Sequence, residues 1–383
     1  MSTTGDKALQ LLKHLIAVDS VNPSLVPGAA GEAAVARTIV EAMRGIGLTV
    51  ETQDAAPGRP NVVGTLEGRM PGRSLMFCGH IDTVGSAGMK APFDPAERDG
   101  RIYGRGSQDM KSGVAAMIDA ARVIAESGGL AAGKLVIACV VDEEHASIGA
   151  DALVSRWRAD AAVVTEPTDL QIAIAHKGFE WVEIETEGVA AHGSRPREGR
   201  DAIRLMARVL TELDTLDKQL QSRTAHPLLG TGSLHASLIE GGRELSSYPD
   251  RCHLQMERRS IPGEAPGVAA REVDELLTRL RAEDPDFKAA SKEMFARSPY
   301  EIAADHELPQ AMLRARGISL LAPPALIGMS FWTDAAILGD AGIPSILFGP
   351  TGAGLHSVEE WVEAASVLQC RDALVNLSRD WCR

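Results

Sequence analysis

The chain has 383 residues, of which 45% are hydrophobic and 24% charged, and its formal net charge is −13. Length and apolar content of this kind predict about two globular domains and exclude a disordered or fibrous protein. Nucleic acids and anionic membranes are disfavoured as partners, because both attract proteins with an excess of positive charge.

The first half of the chain alternates helical and strand patterns. After an amphipathic N-terminal segment comes a helical pattern that ends before Gly47, and then strand-like runs at 61–66 and 74–79. A second helical pattern spans 114–124, and the apolar run 135–141 is typical of a strand that is covered on both faces. This alternation predicts an α/β fold, with a central, mostly parallel sheet flanked by helices.

The middle of the chain follows a different pattern. Strand-like and helical segments come in the order β-α-β-β-α-β, which predicts an inserted ferredoxin-like α+β domain. We therefore predict a discontinuous catalytic domain formed by residues 1–177 and 294–383, and an inserted domain formed by residues 178–293. A closing helix is predicted from Val358 onward.

The cysteines and the apolar runs indicate where in the cell the protein is found. Five cysteines are scattered without a CxxC pair, which indicates reduced thiols and predicts a cytoplasmic protein. The N-terminal segment lacks the pattern of a signal peptide, and the apolar runs are too short for a membrane span.

Polar side chains follow several of the predicted strands, where ligands bind in open α/β sheets. These residues are His80, Asp82, Asp109, Asp142, Glu143, Glu144, Glu166 and His356. Each alone has a simpler interpretation: a solvated loop for the His-Asp pair, a helix N-cap for Asp109, and a solvated turn for the three consecutive acids. Their recurrence at strand ends indicates a common site.

The donor types indicate a pair of metal ions. Two imidazoles and three carboxylates suit two divalent cations, Zn²⁺ first and Co²⁺ as an alternative, with one carboxylate bridging; the donors are His80, Asp109, Glu144, Glu166 and His356. Glu143 is then left free to take a proton. Asp82 lies two residues after His80, so it can reach or orient the ring of that histidine.

Five segments resemble one known family. They are GHIDTV at 79–84, GRGSQDMKSG at 104–113, DEEH at 142–145, TEPT at 165–168 and GLHSVEEWV at 354–362. The chain resembles the dinuclear-zinc amidohydrolase and exopeptidase family, which includes acetylornithine deacetylase, succinyl-diaminopimelate desuccinylase, aminoacylase and carboxypeptidases.

The resemblance implies a role for each residue of the metal site. His80 and Glu166 would bind one metal ion, Glu144 and His356 the other, and Asp109 would bridge the two. Asp82 would orient His80, and Glu143 would be the general base. The resemblance also implies a cis peptide bond after Asp109.

Further roles in the inserted domain rest on the same resemblance. Residues 178–293 would form a lid through which the protein makes a homodimer. His192 would help to hold the oxyanion of the tetrahedral intermediate, and Arg259 would hold the carboxylate of the substrate.

The leading hypothesis is a metal-dependent hydrolase that cleaves the amide bond of N-acyl amino acids with a metal-bridged water. A carboxypeptidase or dipeptidase acting on short peptides is the alternative, because both use the same chemistry. A third hypothesis, an inactive relative that serves as a binding or scaffold protein, predicts a missing ligand or base, and none is missing.

Overall fold

The computed structural model describes residues 5–319 and 325–383. Residues 1–4 and 320–324, which the predicted catalytic domain includes, lie outside the described part. By their contacts the described residues form two compact units. Unit 1 lies within Met1–Ile174, Ile302–Ile327 and Thr333–Arg383, and unit 2 comprises Ala175–Glu301 and Gly328–Trp332. The predicted domain boundaries at 177/178 and 293/294 stay predictions.

The described helices and strands are numbered in chain order. The helices are α1 (Lys7–Ile16), α2 (Ala33–Gly45), α3 (Lys111–Glu126), α4 (Ile148–Arg156), α5 (Ala202–Ser222), α6 (Val268–Glu283), α7 (Glu307–Ser319), α8 (Ala335–Asp340) and α9 (Ala364–Trp381). The strands are β1 (Thr49–Ala56), β2 (Arg59–Glu67), β3 (Ser74–His80), β4 (Ala96–Arg98), β5 (Arg101–Tyr103), β6 (Lys134–Val140), β7 (Ala161–Val164), β8 (Ile172–His176), β9 (Gly178–Glu187), β10 (Ser233–Gly241), β11 (Arg251–Ser260), β12 (Lys288–Arg297), β13 (Tyr300–Glu301), β14 (Leu326–Met329), β15 (Ser345–Leu347), β16 (Gly352–Ala353) and β17 (Trp361–Glu363). None of these described helices is both long and apolar enough to cross a lipid bilayer.

A central mixed sheet organises unit 1. Its strands lie in the order β1-β2-β6-β3-β7-β15-β8. The inner strands β6, β3, β7 and β15 are parallel neighbours, whereas the pairs towards both edges are antiparallel. Helix α3 packs against β3 and β6, and α2 and α4 pack against β1 and β2. The α/β class with flanking helices is therefore confirmed, and its parallel part is limited to the four inner strands.

The register of the parallel strands determines where the site forms. His80, the last residue of β3, pairs with Val140 of β6, and Cys78 pairs with Val164, the last residue of β7. Leu347, the last residue of β15, also pairs with Val164. The carboxyl ends of all four strands consequently meet at one edge of the sheet, so the segments that follow them come together there.

Unit 2 contains a four-stranded antiparallel sheet in the order β10-β11-β9-β12. Along the chain its elements run β9-α5-β10-β11-α6-β12. Apolar side chains of β9 and β11 form a core with those of α5 and α6. This arrangement confirms the ferredoxin-like α+β prediction.

The prediction of a helix from Val358 onward is wrong for its first residues. Helix α9 begins at Ala364, and Trp361–Glu363 forms β17, which pairs with β5. Val358 is 62% exposed, whereas Val362 in β17 is fully buried. Apolar residues at these two positions mimic the spacing of a helix, but a sheet partner from residues 101–103 decides the conformation.

Candidate metal centre

The first ligand group forms around the end of β3. His80 Nε2 lies 3.0 Å from Asp109 Oδ1 and 3.8 Å from Glu166 Oε1. Asp109 comes from the loop before α3, and Glu166 follows β7. One donor atom from each of these three residues lies within 4.8 Å of the other two. Two strand ends and one loop thus supply a compact set of one imidazole and two carboxylates.

The second ligand group shares Asp109 with the first. His356 Nε2 lies 3.1 Å from Glu144 Oε2 and 3.5 Å from Asp109 Oδ2. The donor atoms of these three residues also lie within 4.8 Å of one another. Because Asp109 turns Oδ1 towards one group and Oδ2 towards the other, its carboxylate joins the two groups as a bridging ligand would. The peptide bond that follows it, to Met110, is cis, as the resemblance implies.

Asp82 contacts both the histidine and the acidic turn. The Nδ1–H group of His80 donates to the carbonyl oxygen of Asp82 at 3.0 Å, whereas the Asp82 carboxylate is 3.6 Å from the same nitrogen. That carboxylate accepts hydrogen bonds from the backbone N–H groups of Glu143 and Glu144, each at 3.2 Å. Asp82 therefore orients the ring chiefly through its backbone, while its side chain holds the turn that carries the predicted base.

Glu143 lies next to the first ligand group and belongs to neither group. Its Oε2 is 3.9 Å from His80 Nε2, and the side chain is 11% exposed. Burial raises the pKa of Glu143 well above its ordinary value, and the charges of Glu166 and Asp334 raise it further against the opposing effect of His80. A carboxylate with a raised pKa is a stronger base than an exposed glutamate.

The other ionisable groups show how negative this site is. Burial raises the pKa values of Glu166 and Glu144. Burial alone would also raise the pKa of Asp109, but hydrogen bonds from His356 and His80 outweigh it and hold this pKa below its ordinary value. The same bond to Asp109, together with the one to Glu144, raises the pKa of His356 to about 10. Carboxylates kept this close favour a bound cation.

The donor set fits two zinc-type ions. Each group combines one imidazole with two carboxylates, which are ligands that Zn²⁺ accepts in catalytic sites. Glu144 Oε1 is buried and has no hydrogen-bond partner among the described residues, so an acceptor in the site is left for a cation. The Nδ1–H group of His80 donates a hydrogen bond to the Asp82 carbonyl oxygen, which is the usual way of fixing a metal-binding imidazole.

Glu360 holds the loop that carries Asp109, and the sequence analysis gave it no role. Its Oε1 accepts the N–H groups of Gln108 at 2.8 Å and Asp109 at 3.1 Å. Its Oε2 accepts the N–H of Gly106 at 3.0 Å and a bond from Arg105 Nη1 at 2.6 Å. The residue lies in the segment 354–362 that carried the resemblance, but its neighbour Glu359 has the same chemistry, and only the fold distinguishes the two.

His192 and Arg259 belong to unit 2. The exposed ring of His192 accepts a hydrogen bond at Nδ1 from the backbone N–H of Ser194, at 3.2 Å. The proton of the neutral ring therefore lies on Nε2, which is free to act as a donor. Arg259 donates from Nε to Glu257 Oε1 at 2.7 Å and stacks over Phe179, 5.4 Å from the ring centre.

Comparisons with known proteins identify the family. Residues 76–380 match the model of peptidase family M20/M25/M40. The chain is 27% identical to N-formyl-4-amino-5-aminomethyl-2-methylpyrimidine deformylase of Bacillus subtilis, covering 98% of this chain and 95% of that protein. It is also 27% identical to acetylornithine deacetylase of Proteus mirabilis, covering 98% and 96%.

Solved structures agree with this result. A dinuclear metal binding peptidase of the M20 family from Bacillus subtilis superimposes with a TM-score of 0.73 at 14% identity, covering 98% of this chain and 97% of that one. The family model and the curated relatives confirm the resemblance seen in the sequence, and the protein is a hydrolase. The chain belongs to peptidase family M20/M25/M40.

Proposed function

We propose that this hydrolase cleaves the amide bond of N-acyl amino acids. One observation carries the proposal: two ligand groups share Asp109, and the largely buried carboxylate of Glu143 lies 3.9 Å from His80 Nε2. Amide hydrolysis needs both parts, cations near the carbonyl group and a base near the attacking water. Two relatives are named as a deformylase and a deacetylase, which supports an acyl group as part of the substrate.

In this proposal each residue has a separate task. Glu143 Oε2 takes a proton from water and later donates it to the leaving amine. His80, Glu166, Glu144 and His356 hold the cations, and Asp109 holds both. Two bound divalent ions would lower the pKa of water and stabilise negative charge on the carbonyl oxygen. The imidazole and carboxylate donors support Zn²⁺ as the metal, with Co²⁺ as a substitute.

Two residues of unit 2 would contact the substrate. His192 would donate from Nε2 to the oxyanion, which its hydrogen bond at Nδ1 supports. Arg259 would bind the carboxylate of the amino acid in a bidentate manner, since its Nε is already paired with Glu257 and the described residues provide no hydrogen-bond partner for its Nη groups.

Activity on a substrate panel tests the reaction. Metal-loaded protein is assayed with N-formyl, N-acetyl and N-succinyl amino acids and with dipeptides. Hydrolysis of the acylated amino acids supports the proposal. Hydrolysis of dipeptides alone would establish the peptidase alternative, and no hydrolysis across the panel would favour a binding or scaffold protein.

Two substitutions in one turn test the roles. Glu143→Gln is expected to keep both metal ions while kcat falls by about 10²–10⁴-fold. Glu144→Gln is expected to lower the metal content, which is measured by atomic absorption. Glu41→Gln, at an exposed position of α2, serves as the control. Wild-type turnover in Glu143→Gln would show that another group is the base.

We also propose that the protein is a homodimer that associates through unit 2. β10 is an edge strand of the sheet, and its Leu238 and Ile239 are 66% and 55% exposed. Such an edge pairs readily with another strand, and a second copy would cover it. Sedimentation should show that Leu238→Lys shifts the dimer to monomer, whereas Met70→Lys, at a 62% exposed position of unit 1, should not. A monomeric wild-type protein would refute this proposal.

The remaining predictions concern the surroundings of the enzyme. The cysteines are free thiols in the structure, which supports the cytoplasm as its location. Neither a nucleic acid nor a membrane is proposed as a partner, since the net charge is −13.

A further inference from the structure

The turn that carries Glu143 and Glu144 is anchored at Asp142. This residue follows β6 and has a φ of +70°, a left-handed backbone conformation that residues other than glycine seldom adopt. Its carbonyl oxygen accepts the N–H groups of Ala146 at 3.1 Å and Ser147 at 2.6 Å. The direction in which the chain leaves the sheet, and hence the placement of the next two glutamates, depends on how Asp142 is held.

The side chain of Asp142 is held by hydrogen bonds from three residues that are distant in the chain. Its Oδ1 accepts hydrogen bonds from Arg59 Nη1 at 2.7 Å, Asn22 Nδ2 at 3.1 Å and Ser24 Oγ at 3.3 Å. Asp142 is only 1% exposed, so water cannot replace these donors. An unpaired carboxylate at this position would be costly, and the turn would move to find another partner.

Arg59 connects Asp142 to a second buried carboxylate. Its Nε donates to Glu32 Oε2 at 3.0 Å, and its Nη2 bonds Glu32 Oε1 as well, so the guanidinium grips Glu32 with two parallel bonds. Nη2 also donates to Asn22 Oδ1 at 3.2 Å. Glu32 is fully buried, and the Arg59 side chain is 11% exposed. Arg59 is thereby held rigidly while it points one nitrogen at Asp142.

Asn22 extends this network to the ligands. The Asn22 Nδ2 group that contacts Asp142 also donates to Asp82 Oδ2 at 2.8 Å. Asp82 in turn accepts the N–H groups of Glu143 and Glu144 and contacts His80. An unbroken series of hydrogen bonds therefore runs from Arg59 to the predicted base and to a ligand of each group.

We infer that Arg59 is a positioning residue of the metal centre, which holds the turn at Asp142 so that Glu143 and Glu144 keep their places. The hydrogen bonds of Arg59 go to none of the ligand residues; it acts through Asp142 and Asn22. The inference rests on the proposed function only for its kinetic part, because metal affinity can be measured without turnover. Loss of a direct hydrogen-bond partner of a ligand typically weakens metal binding by about 10–100-fold, and Arg59, which acts through intervening residues, is expected at the lower end of that range.

The test compares two largely buried arginine side chains of unit 1, those of Arg59 and Arg371. Arg59→Met removes the charge, the hydrogen bond to Asp142 and the bonds to Glu32 and Asn22. Arg371→Met is the matched control, because Arg371 is 13% exposed and pairs with Asp6 and Asp119 away from the turn. Zn²⁺ affinity is measured by competition with a chromophoric chelator, together with kcat, KM and Tm.

Comparing the two arginine variants distinguishes an effect on stability from an effect on metal binding. Both substitutions are expected to lower Tm, but only Arg59→Met should raise the Kd of the more weakly bound Zn²⁺, by about 10-fold. In the same variant kcat should fall more than KM changes. Arg59→Lys keeps the charge without the planar fork, so its Zn²⁺ affinity should fall between those of wild type and Arg59→Met.

A charge-balanced double variant keeps the inference testable if the single variant does not fold. If Arg59→Met does not fold, the double variant Glu32→Gln with Arg59→Met removes one charge of each sign and should show the same loss of affinity. Unchanged Zn²⁺ affinity and kcat in the folded variant would overturn the inference while leaving the proposed reaction intact. If the wild-type protein hydrolyses nothing on the panel but Arg59→Met still binds Zn²⁺ more weakly, the proposed reaction is wrong and the inference about Arg59 stands.

Discussion

Glu360→Gln offers a quantitative test of how the site is supported. The Glu360 carboxylate is 1% exposed and accepts four hydrogen bonds, three from backbone N–H groups and one from Arg105. An amide has one acceptor oxygen, so its NH₂ group would face two of these donors. Removing one partner of a buried ion pair costs about 3–5 kcal/mol, and this range already contains the weakened hydrogen bonds.

The loss should appear in both stability and metal binding. A decrease of this size lowers the Tm of a unit of this length by on the order of 10 °C. Because two of the bonds hold the loop at Gln108 and Asp109, the Kd for Zn²⁺ should rise by about 10–100-fold. Differential scanning calorimetry of the metal-free protein and a Zn²⁺ titration measure the two effects.

The neighbouring Glu359→Gln is the matched control for this prediction. Glu359 is exposed and carries the same charge, so its replacement should change the free energy of unfolding by about 0.5 kcal/mol at most. If Glu360→Gln behaves like Glu359→Gln in both measurements, the carboxylate does not support the loop and the reasoning is refuted.

Two further predictions concern pH and metal removal. Burial lowers the pKa of His176 to about 4. Since the unfolded chain binds this proton at pH values below about 6.5, the free energy of unfolding of unit 2 should fall by roughly 3 kcal/mol between pH 7 and pH 4. His176→Asn, which can still donate to the Lys177 carbonyl, should remove that part of the slope in urea titrations; an unchanged slope would contradict the assignment. Chelation with EDTA should lower Tm, and Zn²⁺ at about 100 times its Kd should restore about 2.7 kcal/mol. His356→Ala should reduce that recovery, and a Tm insensitive to both reagents would argue against a metal site.

The amino-acid sequence carried the pattern of the ligand residues. Apolar runs identify β3, β6 and β7; His80 ends the first, and Glu144 and Glu166 come within four residues of the ends of the other two. Because parallel strands end at one edge of a sheet, this order along the chain was enough to predict that these side chains meet. The β-α-β-β-α-β order of unit 2 was equally visible from periodicity.

Other features depended on contacts that are distant in the chain. The helix predicted from Val358 gave way to β17, because residues 101–103 offer it a sheet partner. Glu360 reaches back to Asp109 across 251 positions, and Arg59 reaches forward to Asp142 across 83. No local spacing distinguishes such residues from solvated charges.

The sequence by itself therefore determined which reactive groups lie at the strand ends. Strand periodicity and local spacing depend only on residues that are neighbours in the chain, so both are visible without the fold. Tertiary structure alone decided which buried charges hold those groups in place. A carboxylate or guanidinium enters the interior only where partners from other segments satisfy it, and folding must first bring those segments together.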